Sequence, residues 1–295
     1  MIDCLQNVSV PLQRIHGIHT SALVVVASNS HALWLRGVLN SYTMWNNLTK
    51  ADAYVLLLDE SEACRALAAE FGAYVIQAEC LSPMGSWSKS VVYNIADILP
   101  HEHFICIDVD TLVLGSLQSK FDELKKPHIV LQMARDAQFL NTATKSAAGS
   151  RPFIDQWHGY YQGKDDKVLG VDTWIGQYPI IISDGVICAN RLGMRLLVSR
   201  CKTLYVFWRE EINALRRRNQ AVANVAFIEM FSLPENKGVD LLDEKYNLQV
   251  GASRLNLVEH ESSLHFHNGK RPYIAHFPGK KGKALCHTIR DWYQK

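Results

Sequence analysis

The chain has 295 residues, 48% of them apolar and 20% charged, the profile of a globular protein with a large core. A formal net charge of +2 excludes the heavy basic bias of a dedicated nucleic-acid binder, so no nucleic-acid partner is expected. The 7 cysteines are odd in number and show no C-x-x-C pair, which argues against a disulfide framework and a structural zinc site and for a reducing compartment.

Residues 1–20 read as an irregular lead-in without the apolar core of a signal peptide. The apolar run at 22–27 is too short to span a bilayer, so a cytoplasmic protein is expected. From there strands and helices alternate. The β-branched run 22–28 predicts a buried strand, and Leu33, Leu35, Val38, Leu39, Tyr42 and Trp45 at helical spacing predict a helix over 31–45. Residues 53–58 and 73–77 predict two more strands around an Ala-rich helix at 61–71. Residues 86–98 predict a helix ended by Pro100, and 103–107 a fully apolar fourth strand. This alternation predicts an α/β fold with a mostly parallel sheet and helices on both faces, with ligands at the carboxyl ends of the strands. Further on, strands are expected at 128–133 and 180–190, helices at 191–203 and 212–231, a long excursion at 138–178 and a C-terminal helix at 284–295. The whole reads as a single domain over 1–295.

Two segments carry chemistry. In FICIDVDTLVLGSL, Asp108 and Asp110 flank Val109 directly after the apolar strand. Two carboxylates on alternate positions at a strand end can grip one hard cation, and Mn²⁺ or Mg²⁺ neutralises a leaving diphosphate. The plainer reading is a loop capping Thr111. In YIAHFPGKKGK, His276 offers imidazole as a third ligand, and the Gly/Lys run after it offers N–H groups and positive charge to phosphates. The plainer reading there is a basic surface loop.

Together these segments resemble the retaining glycosyltransferases of family eight, such as glycogenins and bacterial lipopolysaccharide galactosyltransferases. IDVDTLVL resembles their D-x-D strand, and His276-Phe277-Pro278-Gly279 resembles their closing H-F/Y-x-G. Weaker matches lie between. SWSKSVVYNIADILP resembles the helix before D-x-D and puts Lys89 at a donor-binding basic position. ISDGVICAN resembles the F-N-[SA]-G-V segment at the donor sugar. NQAVANVAF resembles D-Q-x-x-L-N, and Tyr246-Asn247-Leu248 resembles a Y-N-hydrophobic signature. Ala27, Ser28 and Asn29 resemble the base-binding end of the first strand.

The resemblance implies the GT-A fold, a Rossmann-like sheet that is mostly parallel but mixed. It also implies a nucleotide-sugar donor of the UDP type and Mn²⁺ or Mg²⁺ on Asp108, Asp110 and His276. The donor would meet Ala27, Ser28, Asn29, Lys89, Asp108, Val109, Asp110, Ser183, Gly185, Gly279 and Lys281. The acceptor is left open among glycan, lipid-linked sugar, protein and small molecule. Retaining transfer would leave Gln220, Asp184 and Asn219 around the anomeric carbon, with Gln220 offering a carbonyl dipole and Asp184 a full charge. The chain departs from the family pattern at Ser183 in place of Asn, Asp184 after it, Asn219 in place of Asp, and Gly282 in place of Lys, so that Lys281 or Lys283 takes that role. The plainer reading of Asp184 is a hydrogen bond tying down the strand end.

The pairs His101/His103 and His265/His267 read more readily as strand positions than as zinc ligands. Arg216, Arg217 and Arg218 point in different directions on a helix and read as a solvated face. The C-terminal helix either packs on the domain or makes at most a peripheral membrane contact. Two alternatives remain on sequence grounds. One is a haloacid-dehalogenase-like phosphatase, whose D-x-D is expected on a first strand. The other is a non-catalytic sugar-nucleotide-binding protein, which Asn219 would favour.

Overall fold

A computed structural model of the chain describes residues 18–47, 49–78, 85–135, 182–207, 218–231, 233, 235–250, 257–260, 263–266 and 272–277. For 85–89, 207, 218–221, 257–260 and 263–266 it describes the backbone alone. The expected lead-in up to residue 17, the excursion at 138–178, Gly279, Lys281 and the C-terminal helix lie outside the described residues.

β1 (Ser21–Ala27) is buried along its whole length. Its β-branched side chains suit a strand covered on both faces. Ala22, Val24 and Val26 enter one apolar cluster, and Leu23, Val25 and Ala27 enter another on the opposite side. β2 (Asp52–Leu57), β3 (Tyr74–Gln77) and β4 (His103–Asp108) join β1 in parallel. The connections are α1 (Ala32–Asn46), α2 (Glu62–Glu70) and a 3₁₀ segment, Gly85–Asn94, continued by α3 (Ile95–Ile98). The Ser61 hydroxyl caps α2 by accepting from the Cys64 amide at 3.2 Å.

The expected helix over 86–98 is thus mainly a 3₁₀ helix. Gly, three Ser and the pair Val91-Val92 are weak α-helix formers, which suits this tighter winding.

After β5 (Thr111–Val113), α4 (Gln118–Leu124) leads to β6 (Leu131–Arg135). β7 (Ile182–Asn190), α5 (Arg191–Phe207), α6 (Arg218–Phe231) and β8 (Val239–Leu241) complete the main layer. The seven-stranded sheet has the order β3-β2-β1-β4-β7-β6-β8. β7 runs antiparallel to both β4 and β6, while the other described pairs in this sheet are parallel. The mostly parallel mixed sheet of the sequence reading is therefore present. α5, α6 and the 3₁₀ segment cover one face; α1, α2 and α4 cover the other.

One feature of the fold has no counterpart in the sequence reading. β5, β9 (Leu248–Gln249) and β12 (Ile274–His276) form a separate three-stranded sheet in the order β5-β12-β9. It closes over its own small core of Leu112, Leu114, Leu248, Val250, Ala275 and Phe277. β10 (Leu257–His260) and β11 (Ser263–Phe266) pair as a hairpin. Among the described residues, no helix is long and apolar enough to cross a membrane.

Candidate active site

Asp108 is the last residue of β4, and Val26 of β1 pairs with it. Ala27, Ser28 and Asn29 therefore leave the sheet beside the acidic pair. The turn after β4 is held by the Thr111 hydroxyl, which donates to the Asp108 carbonyl at 2.7 Å. Val109 turns inward, and its side chain is buried in the core beneath. Asp110 faces the same way as Asp108, and its carbonyl accepts from the Phe277 amide at 2.8 Å.

That last bond belongs to the small sheet. β12 pairs antiparallel with β5, putting His276 opposite Thr111. On its other side β12 pairs in parallel with β9, putting His276 opposite Gln249. A histidine some 166 residues beyond the acidic pair is thereby fixed at its side (276 − 110). His276 Nε2 lies 3.5 Å from Asp110 Oδ1 and 4.0 Å from Asp108 Oδ2. One ligand atom from each of the three lies within 4.8 Å of the others. Ions of this size hold O and N ligands at about 2.0–2.2 Å, so neighbouring ligands on one ion stand roughly 3–4 Å apart. His276 has that spacing to both carboxylates, and the donor set suits Mn²⁺ or Mg²⁺.

Two further groups shape the histidine. The first is Gly185, early in β7. A Cβ built there would come within 2.2 Å of His276 Cε1 and 2.6 Å of Nδ1. The Cε1 edge of the imidazole therefore packs directly against the backbone of β7, in a cradle that any side chain would fill. The second is Asn247, whose Oδ1 lies 3.1 Å from His276 Nδ1. Sequence reasoning placed Gly185 at the donor sugar and gave Asn247 no role. The Y-N pattern marks Asn247, but only the closure of β9 on β12 shows what it touches.

β7 enters the site from the other direction. Its register against β6 jumps from Met133↔Ile187 to Ala134↔Ser183, which leaves 184–186 unopposed by β6. Such a bulge re-aims side chains. Gly185 faces His276, while Asp184 turns to the opposite side of the sheet, where its Oδ2 accepts from the Tyr93 hydroxyl at 3.0 Å. Asp184 is nearly buried, and Tyr93 comes from the 3₁₀ segment that also carries Lys89. Ser183 is buried, and its hydroxyl accepts from the Gly185 amide at 3.3 Å, helping to hold the bulge.

The start of β7 is pinned by α6. Asn224 Oδ1 accepts from the Ile182 amide at 2.7 Å. Gln220 lies one turn before Asn224 on α6, with Asn219 beside it in the chain. The side chains of Lys89, Asn219 and Gln220 lie outside the described residues.

Beside the trio, the Asn29 amide donates to Asp59 Oδ1 at 2.7 Å, and the Ser61 hydroxyl donates to Asn29 Oδ1 at 3.0 Å. Ser28 Oγ lies 2.6 Å from His31 Nδ1. These contacts tie the ends of β1 and β2 into one exposed rim.

The His101/His103 pair is structural, while the side chain of His265 and the whole of His267 lie outside the described residues. His101 is buried and bonds Asp52 through Nε2 at 2.9 Å, at the amino end of the sheet, with its ring edge-on to Tyr54. Burial holds its pKa below the ordinary histidine range, against the opposing pull of Asp52. His103 reaches Ser21 Oγ at 3.4 Å. Cys64, Cys106, Cys188 and Cys201 are buried, and burial pushes the Cys188 thiol up to about 12, as an inert core residue requires.

The chain matches no family model and no curated protein. Solved structures do match in fold. The apo form of the glycosyltransferase GlyE from Streptococcus pneumoniae TIGR4 aligns over 93% of this chain with a TM-score of 0.55 and 14% identity. The chain spans 60% of the length of GlyE. The galactosyltransferase LgtC, in complex with donor and acceptor sugar analogs, aligns over 92% of this chain and 95% of its own, with a TM-score of 0.55 and 13% identity. An active-site variant of LgtC aligns over 88% of both chains, with a TM-score of 0.54 and 15% identity. The chain therefore has the GT-A fold of these glycosyltransferases.

Proposed function

We propose that the chain is a metal-dependent glycosyltransferase that moves a hexose or related sugar from a UDP-type nucleotide sugar to an acceptor hydroxyl. The observation that carries this reading is the convergence of Asp108, Asp110 and His276 at the carboxyl end of β4, in a fold shared with GlyE and LgtC. The fold also favours sugar transfer over phosphate-ester hydrolysis, since the acidic pair follows the fourth strand of the chain rather than the first.

In this reading Asp108, Asp110 and His276 would hold Mn²⁺ or Mg²⁺, which supplies charge neutralisation to the leaving diphosphate. Lys89, Gly279 and Lys281 add positive charge and N–H donors to the phosphates. The rim of Ala27, Ser28 and Asn29 receives the nucleoside. Ser183 and Asp184, with Asn219 and Gln220 from the start of α6, surround the sugar. The transfer retains configuration at the anomeric carbon, with the Gln220 carbonyl dipole or the Asp184 carboxylate facing the developing positive charge. The acceptor is a hydroxyl of a glycan, lipid-linked sugar, protein or small molecule.

The test is an assay of nucleotide-sugar turnover with Mn²⁺ and with excess chelator. Release of sugar from a UDP-sugar, abolished by chelator and by Asp110→Ala, is the expected result. Cleavage of simple phosphate esters in place of UDP-sugars would overturn it in favour of a phosphatase. Binding of the donor with no turnover would identify a non-catalytic binder.

A further inference from the structure

We propose that Asn247 is a positioning residue that sets the tautomer and heading of His276, and that it does so together with the Gly185 cradle. The inference rests on the metal reading of the Asp108–Asp110–His276 trio but concerns a residue outside it.

Asn247 Oδ1 lies 3.1 Å from His276 Nδ1, and both groups are buried. An amide oxygen only accepts, so Nδ1 carries the hydrogen. In a neutral imidazole Nε2 then has no hydrogen and directs a lone pair outward. Nε2 is the atom that faces Asp110 Oδ1 at 3.5 Å and Asp108 Oδ2 at 4.0 Å. A charge-assisted N–H···O⁻ bond would close to about 2.7–2.9 Å. The wider spacing is that of ligands around a shared cation.

The backbone around Asn247 is itself held firmly. The Asn247 backbone amide donates to the Glu244 carbonyl at 3.1 Å, and the Val250 backbone amide donates to the His276 carbonyl at 2.8 Å. On one side Tyr246 is buried and stacked on Tyr273, with ring centroids 5.0 Å apart and Lys120 Nζ 4.5 Å from the Tyr246 ring. On the other side Leu248 and Gln249 pair with β12 itself. The ring is thus fixed from three directions: by β5 and β9 through its backbone, by Gly185 beneath it, and by Asn247 at Nδ1. Metal-bound histidines commonly depend on such an outer acceptor, and its loss costs about 10–100-fold in metal affinity.

The experiment uses the full chain with ¹⁵N-labelled histidine, at a pH high enough that the imidazole beside the two carboxylates is neutral, and Mn²⁺ binding followed by electron paramagnetic resonance. The wild type should show His276 with its hydrogen on Nδ1. Asn247→Leu should lose that preference and weaken Mn²⁺ binding by about 10–100-fold. Asn247→Asp keeps an acceptor oxygen and should restore both the tautomer and most of the affinity, which separates positioning from mere filling of space. Two results would overturn the proposal: a hydrogen on Nε2 in place of Nδ1 in the wild type, or unchanged Mn²⁺ affinity in Asn247→Leu. A wild-type chain that binds no Mn²⁺ would sink the metal reading instead, while the ring-nitrogen signals would still decide the tautomer.

Discussion

Gly185 illustrates how a single absent side chain can govern a site. Among the described glycines, a positive φ is found only for Gly72, at 67°, so Gly185 is needed for space rather than for backbone freedom. Gly185→Ala would drive a Cβ to within 2.2 Å of the His276 ring, which must then leave the acidic pair. Expected is at least a roughly 10-fold loss of Mn²⁺ affinity with near-normal secondary structure by circular dichroism. Wild-type affinity would show that His276 is not a ligand. Asp184 presents a different question, because its Oδ2 is already engaged by Tyr93. A carboxylate acting on a cationic sugar predicts a large fall in turnover for Asp184→Asn, and little for Tyr93→Phe. If Asp184 only ties β7 to the 3₁₀ segment, both changes should lower stability by about 1 kcal/mol and spare turnover. Kinetics beside thermal melts on the two variants decide between them.

At the scale of elements, the small sheet couples stability to the site. Phe277 is fully buried in a core of only a few side chains, next to His276. Phe277→Ala should cost about 3–5 kcal/mol and should also weaken Mn²⁺ binding, because β12 carries the ligand. Leu197→Ala, on the far face under α5, removes a comparably buried side chain. It should lower the melting temperature but leave Mn²⁺ affinity of the folded protein unchanged. Equal effects of the two changes on affinity would contradict a local role for the small sheet. The elements of the large sheet were largely legible in advance. The β-branched run of β1 and the apolar FICID of β4 are long enough, and buried enough on both faces, to declare themselves. β5, β9 and β12 were not legible. Strands of two or three residues carry no periodicity, and each is stable only because the other two are present.

At the scale of the molecule, two solution properties follow. His101 is held neutral by burial, while in the unfolded chain it titrates near its ordinary value of about 6.5. The unfolded state therefore binds the proton first as pH falls, and stability drops below about pH 6.5 toward the lowered folded pKa. His103, lowered by burial and by Lys125, adds in the same direction. Melting temperature should decline from pH 7 to about pH 5, and His101→Gln should flatten that slope. An unchanged slope would show that other groups control it. Separately, a donor and Mn²⁺ together at about 100 times their dissociation constant should stabilise the fold by about 2.7 kcal/mol. For a chain of this size that is a rise of roughly 5 °C, reversed by chelator and absent in Asp110→Ala.

The sequence by itself determined the α/β alternation, the large sheet and the placement of Asp108 and Asp110 at a strand end. These are local properties: apolar runs, caps and turns act over a few residues, and a buried strand followed by acids can end only at the sheet's rim. Its ordered likeness to a sugar-transfer family also singled out His276. Only the tertiary structure decided how these pieces meet. The partners of His276 are Thr111 across one strand, Gln249 across another, Asn247 at its ring nitrogen and Gly185 beneath it. No short window of the chain holds any two of these four together with His276. Their contact depends on β7 reversing direction inside an otherwise parallel neighbourhood and on three very short strands closing over one another. Backbone pairing between segments remote in sequence is set by the mutual burial of whole layers, and no pattern within a single segment encodes it.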